Sequence, residues 1–143
     1  MAPLQVVLDT NVLIAALRSR YGGSAALLQK LGADPRWQSN LSVSLVAEYT
    51  EVVHREARLL GYSWQDCEDF LDYICMAGVE RPIYFRWRPA LVDPDDDLVL
   101  ELAVACGAAH IITHNRRHFT AAERFGIVPL SPAEFLAKLR TLT

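Results

Sequence analysis

Leu4-Gln5-Val6-Val7-Leu8-Asp9-Thr10-Asn11 is the stretch that decides the fold class of this chain. Leu4 to Leu8 runs apolar without alternation, as expected of a short strand covered on both faces. Asp9 stands at the tip of that strand, and Asn11 to Arg18 then reads as a helix. A strand passing directly into a helix opens a βα unit. The acid at the joint needs a helix N-terminus, a cation or water to answer its charge.

The alternation continues along the chain. Ser24 to Leu31 reads as a helix stopped by Gly32, and Trp37 to Val43 as a weaker strand. Ser44 is placed to cap a helix running to about Leu60, with Gly61 just past its end. Ser63 and Asp66 approximate a capping box. Cys67, Phe70, Leu71, Ile74 and Cys75 then mark the buried face of a helix that Gly78 ends. Val79 to Phe85 reads as a strand, with Pro82 pointing to a sheet edge. Asp95 to Cys106 reads as a helix apolar almost all round, and Ala109 to Thr113 as a strand. Thr120 and Glu123 suggest a second box over a short helix ending at Gly126, before a last strand from Ile127 to Leu130. Ser131-Pro132-Ala133-Glu134 sets cap, N1 proline and N3 glutamate at the start of a final helix. Repeated βα units predict a parallel sheet covered by helices on both faces. Such sheets bind ligands beyond the carboxyl ends of their strands, where strand order reverses.

A length of 143 residues fits a single domain, residues 1–143, with a sizeable core. With 52% hydrophobic and 22% charged residues, the composition is that of a folded protein rather than a disordered one. No apolar run approaches the roughly 20 residues needed to span a bilayer. The start shows no basic leader or small-residue cleavage site, so the expected location is the cytoplasm. A net charge of −3 argues against a broad basic surface for duplex DNA. It leaves a nuclease open, because a carboxylate-lined metal site is itself acidic. Cys67, Cys75 and Cys106 lack CxxC spacing and read as core filler.

Three acids carry the candidate chemistry, each with a plainer reading beside it. On the plainer reading, Asp9 simply caps the helix that follows. Glu48 projects with the apolar stripe of Leu45, Val46, Tyr49, Val52 and Val53, where a carboxylate is costly unless compensated by a cation, a buried arginine or an edge position. Asp93-Pro94-Asp95-Asp96-Asp97 opens a helix, and acids in a first turn suit the helix dipole. Four aspartates exceed what capping needs, and a cation would relieve their repulsion. Asp96 shares a face with Leu100 and Ala103 and should turn inward, whereas Asp95 or Asp97 should face solvent. Thr113-His114-Asn115 follows a strand and reaches the same sheet edge as Asp9. His110, His114 and His118 sit in a strand-to-loop context and read as surface residues rather than a metal site. Oxygen donors without cysteine select magnesium or manganese over zinc.

Val6-Val7-Leu8-Asp9-Thr10-Asn11-Val12-Leu13-Ile14 closely resembles the opening motif of PIN-domain nucleases. Ser44-Leu45-Val46-Ala47-Glu48-Tyr49 is similar to the family's second-acid helix, and Asp93 to Asp97 with Leu100, Ala103 and Gly107 to its third-acid segment. Ile111 to Phe119 resembles the final motif, and Ser-Pro-Ala-Glu-Phe the last helix, so the likeness covers nearly the whole chain. The subgroup most resembled is the VapC-like toxin component of toxin–antitoxin pairs. That resemblance implies a three-layer α/β/α sandwich with a mostly parallel, five-stranded sheet. It also implies magnesium- or manganese-dependent RNA cleavage, an antitoxin partner and homodimerisation. Carried over by position, Asp9, Glu48 and Asp96 are the acidic ligands, with Asp97 as rival to Asp96. Asn115 stands where the family commonly has an acid, which should weaken a second metal site more than the first.

Asn11 and Thr113 are then expected to orient ligands or water, and Arg116 and Arg117, with Arg18 and Arg20 behind them, to grip the RNA backbone. The expected reaction is metal-assisted hydrolysis of an RNA phosphodiester, with Glu48 able to act as base. The competing reading is a PIN module weakened in catalysis that acts by binding a partner. An aspartyl-phosphate enzyme built on Asp9 is set aside: position 11 is Asn, and no lysine lies between Lys30 and Lys138.

Overall fold

The computed structural model of the chain describes residues 2–83 and 94–142. Strands β1 (Leu4–Leu8), β2 (Trp37–Leu41), β3 (Val79–Glu80), β4 (His110–Ile112) and β5 (Val128–Leu130) form one sheet in the order β3-β2-β1-β4-β5. Every pairing is parallel, with β1 between β2 and β4: Val6 faces Ser39 on one side and His110 on the other. Helices α1 (Thr10–Arg18), α2 (Gly23–Leu28), α3 (Val43–Leu59), α4 (Trp64–Ala77), α5 (Pro94–Ala105) and α6 (Pro132–Arg140) flank the sheet, and a 3-10 segment, Arg116–Phe125, joins β4 to β5. This is the expected α/β/α sandwich on a five-stranded parallel sheet.

Val6, Val7 and Leu8 are almost fully buried, as the apolar run of β1 requires of a central strand. Leu13, Leu45, Tyr49, Leu100, Leu102, Phe119 and Phe135 close the core around it. From β1 the chain moves outward to β2 and β3, and later crosses back to β4 and β5 on the other side. Strand order therefore reverses between β1 and β4, and their carboxyl ends flank the crevice where such sheets take ligands. The polar residues after those ends are Asp9 and Thr113.

Several local expectations shift. Helix α3 is capped by Ser42 and not Ser44: β2 ends at Leu41, and the Ser42 hydroxyl accepts from Leu45 N at 3.1 Å. Helix α2 stops at Leu28, and the chain tightens through short turns to Gly32, whose φ is +72°. The Thr120–Glu123 helix is instead the end of a kinked 3-10 run that begins at Arg116. The boxes at Ser63/Asp66 and Ser131/Glu134 form in full. Gly78 does more than end α4: a Cβ there would fall 2.6 Å from Leu41 Cδ1, so helix and strand meet this closely through glycine. Val79–Glu80 takes the sheet edge as anticipated, although the strand ends before Pro82. Phe85 and Asp93 lie outside the described residues. Cys67, Cys75 and Cys106 are all free thiols. Among the described residues, no helix is long and apolar enough to cross a membrane.

Candidate active site

The site is built from the ends of β1 and β4 and the first turns of two helices. Asp9 follows β1 directly and is buried. One carboxylate oxygen, Oδ1, accepts from Thr10 N at 2.8 Å, so the acid does cap α1. The other, Oδ2, accepts from the Thr113 hydroxyl at 2.7 Å, which joins the ends of β1 and β4. Capping and a functional position are thus compatible in one residue.

Thr10 makes the second link. Its hydroxyl donates to Glu48 Oε2 across from α3. Glu48 is half-buried in the second turn of that helix, one residue before Tyr49, which is buried and donates its phenol to Leu8 O at the end of β1. Burial, and then the charges of Asp9 and Glu48, hold the Tyr49 phenol well above its usual range. Both acids therefore act on the same small volume. Thr10 was not singled out from the sequence, yet a signal existed: it precedes Leu13 by three and Ile14 by four, which sets it on the buried face of α1.

Asp96 reaches the same edge by topology. Helix α5 leads into β4 and packs on β1, β4, α3 and the 3-10 segment, so its first turn lies toward the strands' carboxyl ends. There His118 Nδ1 lies 3.2 Å from Asp96 Oδ2, and the ring must donate because a carboxylate only accepts. Asp97 is as buried as Asp96, which corrects the expectation for Asp97, while the Asp95 side chain lies outside the described ones. The cause is that α5 buries more than one face: Val99, Leu100, Leu102 and Ala103 are all inside.

The remaining polar residues brace this edge. Asn11 Oδ1 accepts from His114 N at 3.2 Å, its amide reaches Thr113 Oγ1 at 3.5 Å, and Asn115 N donates to the same hydroxyl at 3.0 Å. The Asn115 side chain is exposed and heads the 3-10 segment. Of the three histidines read as surface residues, His110 is buried, which is a second correction; His114 lies 2.7 Å from Ser24 Oγ. Arg116 is held by Glu134, at 3.1 Å, while Arg117 makes no ion pair among the described residues. The Glu134 carboxyl is kept below its usual range chiefly by the Ser131 backbone N–H of the capping box.

Among the described residues, no group of three or more His, Cys, Asp and Glu side chains is arranged to hold a metal ion as it stands. Asp9, Thr10 and Glu48, linked by hydrogen bonds, nevertheless offer carboxylate and hydroxyl oxygens. That is the chemistry hard divalent cations take.

A family model described as PIN domain matches residues 5–117, which span Asp9, Glu48, Asp96 and Asp97. In fold the chain is similar to one from the crystal structure of VapBC2 from Rickettsia felis bound to a DNA fragment from their promoter. The TM-score is 0.59 over 90% of this chain and 98% of that one, at 14% identity. No curated protein matches the sequence.

Proposed function

The chain belongs to the PIN-domain family, and from that premise we propose that it is a divalent-metal-dependent nuclease hydrolysing RNA phosphodiesters, the toxin partner of an antitoxin protein in the cytoplasm. The observation that carries the reading is the bridge from Asp9 through Thr10 to Glu48 at the strand-order switch, with Asp96 at the same edge. The acids come from separate segments, and nothing in the packing of a sheet calls for gathering them. The antitoxin part of the reading is supported by the fold shared with a chain of the VapBC2 complex. A homodimer belongs to the same reading.

Asp9, Glu48 and Asp96 would hold a magnesium or manganese ion, with Asp97 and Asn115 as further oxygen donors. When bound, such an ion supplies positive charge against a phosphoryl oxygen and acidifies water. This chain's own residues do the rest. Thr113 and the Thr10 amide fix both oxygens of Asp9; Thr10 orients Glu48; and Glu48 takes the proton of the attacking water. His118 orients Asp96.

Purified protein is expected to cut single-stranded RNA with magnesium or manganese, to stop in EDTA, and to lose cleavage in Asp9→Asn. Cleavage that survives both EDTA and Asp9→Asn would end the nuclease reading. A second reading, a PIN module that works by binding, is favoured by Asn115 in place of an acid. Titration calorimetry with manganese separates the two: absence of heat supports the binding module.

A further inference from the structure

Beside the acid site, and sharing Asn115 and His118 with it, the structure holds a pocket lined by two arginines. An open pocket of about 400 Å³ lies along the start of the 3-10 segment, floored by Pro129. We propose that this pocket, walled by His114, Asn115, Arg117, His118, Thr120 and Glu123, is a subsite for a single-stranded RNA nucleotide beside the bond being cut, with Arg117 holding its phosphate. The proposal rests on the nuclease reading for the choice of RNA.

Three observations carry it. The first is continuity with the acids. His118 on the pocket wall contacts Asp96, and the backbone N–H of Asn115 reaches Thr113, which in turn holds Asp9. A chain lying across the acids therefore has this pocket as its next station. The second is local charge. The chain as a whole is at −3, yet this pocket carries two arginines against one acid, and of the two only Arg116 is committed to an ion pair among the described residues, with Glu134. Local positive charge in an acidic protein is what a phosphate backbone requires.

The third is a division of labour between neighbouring arginines. Arg116 is clamped to Glu134 at the start of α6 and ties the pocket wall to the body of the protein. Arg117 has no such tie among the described residues and is exposed, so its planar fork is available for bidentate contact with a phosphate. Glu123 on the same wall sets the chemical class of ligand. A carboxylate disfavours bare phosphate and rewards a base edge that carries N–H donors, as an unstacked RNA base does. The pocket volume is within the range of small-molecule sites, about 300–1,000 Å³.

The test uses the full chain and a fluorescently labelled single-stranded RNA, with binding read by anisotropy in EDTA across a salt series and cleavage read separately with magnesium. Arg117→Ala is expected to weaken binding severalfold and to reduce the slope of log affinity against log salt by about 0.7, the value for one phosphate contact on a single strand. Its cleavage is expected to show a raised KM with little change in kcat. Arg117→Lys is expected to keep the slope and lose part of the affinity, Arg124→Ala to change neither, and inorganic phosphate at matched ionic strength to compete poorly. Unchanged affinity and slope in Arg117→Ala would overturn the subsite, and the same result is expected if the pocket serves an acidic protein segment instead. The two readings fail differently. RNA cleavage with an unchanged Arg117→Ala slope removes the subsite alone. A lost slope without cleavage under any metal removes the nuclease alone.

Discussion

The two ends of β4 both carry buried polar side chains, and they follow opposite rules. At the amino end, His110 Nδ1 donates to Val128 O at 2.9 Å, Lys138 Nζ lies 2.6 Å from Nε2, and Phe135 packs edge-on with ring centroids 5.8 Å apart. Those partners fix a neutral ring, a donor facing a carbonyl and an acceptor facing an ammonium. At the carboxyl end, Thr113 instead joins a set in which two carboxylates, Asp9 and Glu48, lie close enough that both raise the Tyr49 phenol. The first cluster is complementary in itself and serves the fold. The second concentrates like charge at a strand-order switch, a costly arrangement that points to a ligand.

The contrast is broken hardest at Asp9. In Asp9→Asn, cleavage is expected to fall below detection while the melting midpoint moves by only a few degrees, roughly 2–4 °C per kcal/mol for a chain near this size. A large melting shift with cleavage retained would make Asp9 a structural cap and nothing more. Thr10→Val sharpens the same point at a residue that touches no substrate. It keeps the side-chain shape but removes the hydroxyl that orients Glu48. The expected loss is about 10- to 100-fold in manganese affinity by calorimetry, the usual effect of removing a group that orients a ligand. Thr10→Ser should restore most of it. Equal affinities in Val and Ser variants would show that the Thr10–Glu48 contact positions nothing.

How far each end could be read beforehand differs for a physical reason. The carboxyl end lies where local pattern speaks: an apolar run ending in Asp9, acids opening α5, and Thr113 closing β4 each show within a few residues of sequence. The βα alternation and the capping boxes at Ser63 and Ser131 are local in the same way, and so is the parallel sheet they imply. What failed to show depended on distant partners. His110 looks like a loop-edge histidine until Lys138, 28 residues away, and Phe135 cover it. Asp97 looks outward by helical periodicity, which cannot foresee that α5 is enclosed on more than one side. The choice between Ser42 and Ser44 depended on where β2 stops pairing, and the 3-10 run after β4 carries no periodic pattern to read.

The amino end gives smaller effects and should leave chemistry untouched. His110→Ala removes the partner of the Val128 carbonyl and of the Lys138 ammonium, and is expected to cost about 2 kcal/mol. Cleavage per folded molecule should stay at the wild-type level. The smallest effect is in pH. Burial, the largest influence, pulls the His110 pKa below its ordinary 6.5, with the Val128 hydrogen bond opposing and the Lys138 charge assisting. The fold therefore prefers the neutral ring. The stability it contributes is fully present above the unfolded value of 6.5 and is lost as pH falls through the lower folded one. Urea midpoints taken downward from about pH 7.5 should fall for the wild-type chain, and less steeply for His110→Gln, which has no ring to protonate. Parallel slopes in the two proteins would mean that His110 accepts its proton inside the fold without penalty, and the neutral, self-complementary cluster at that end of β4 would be wrong.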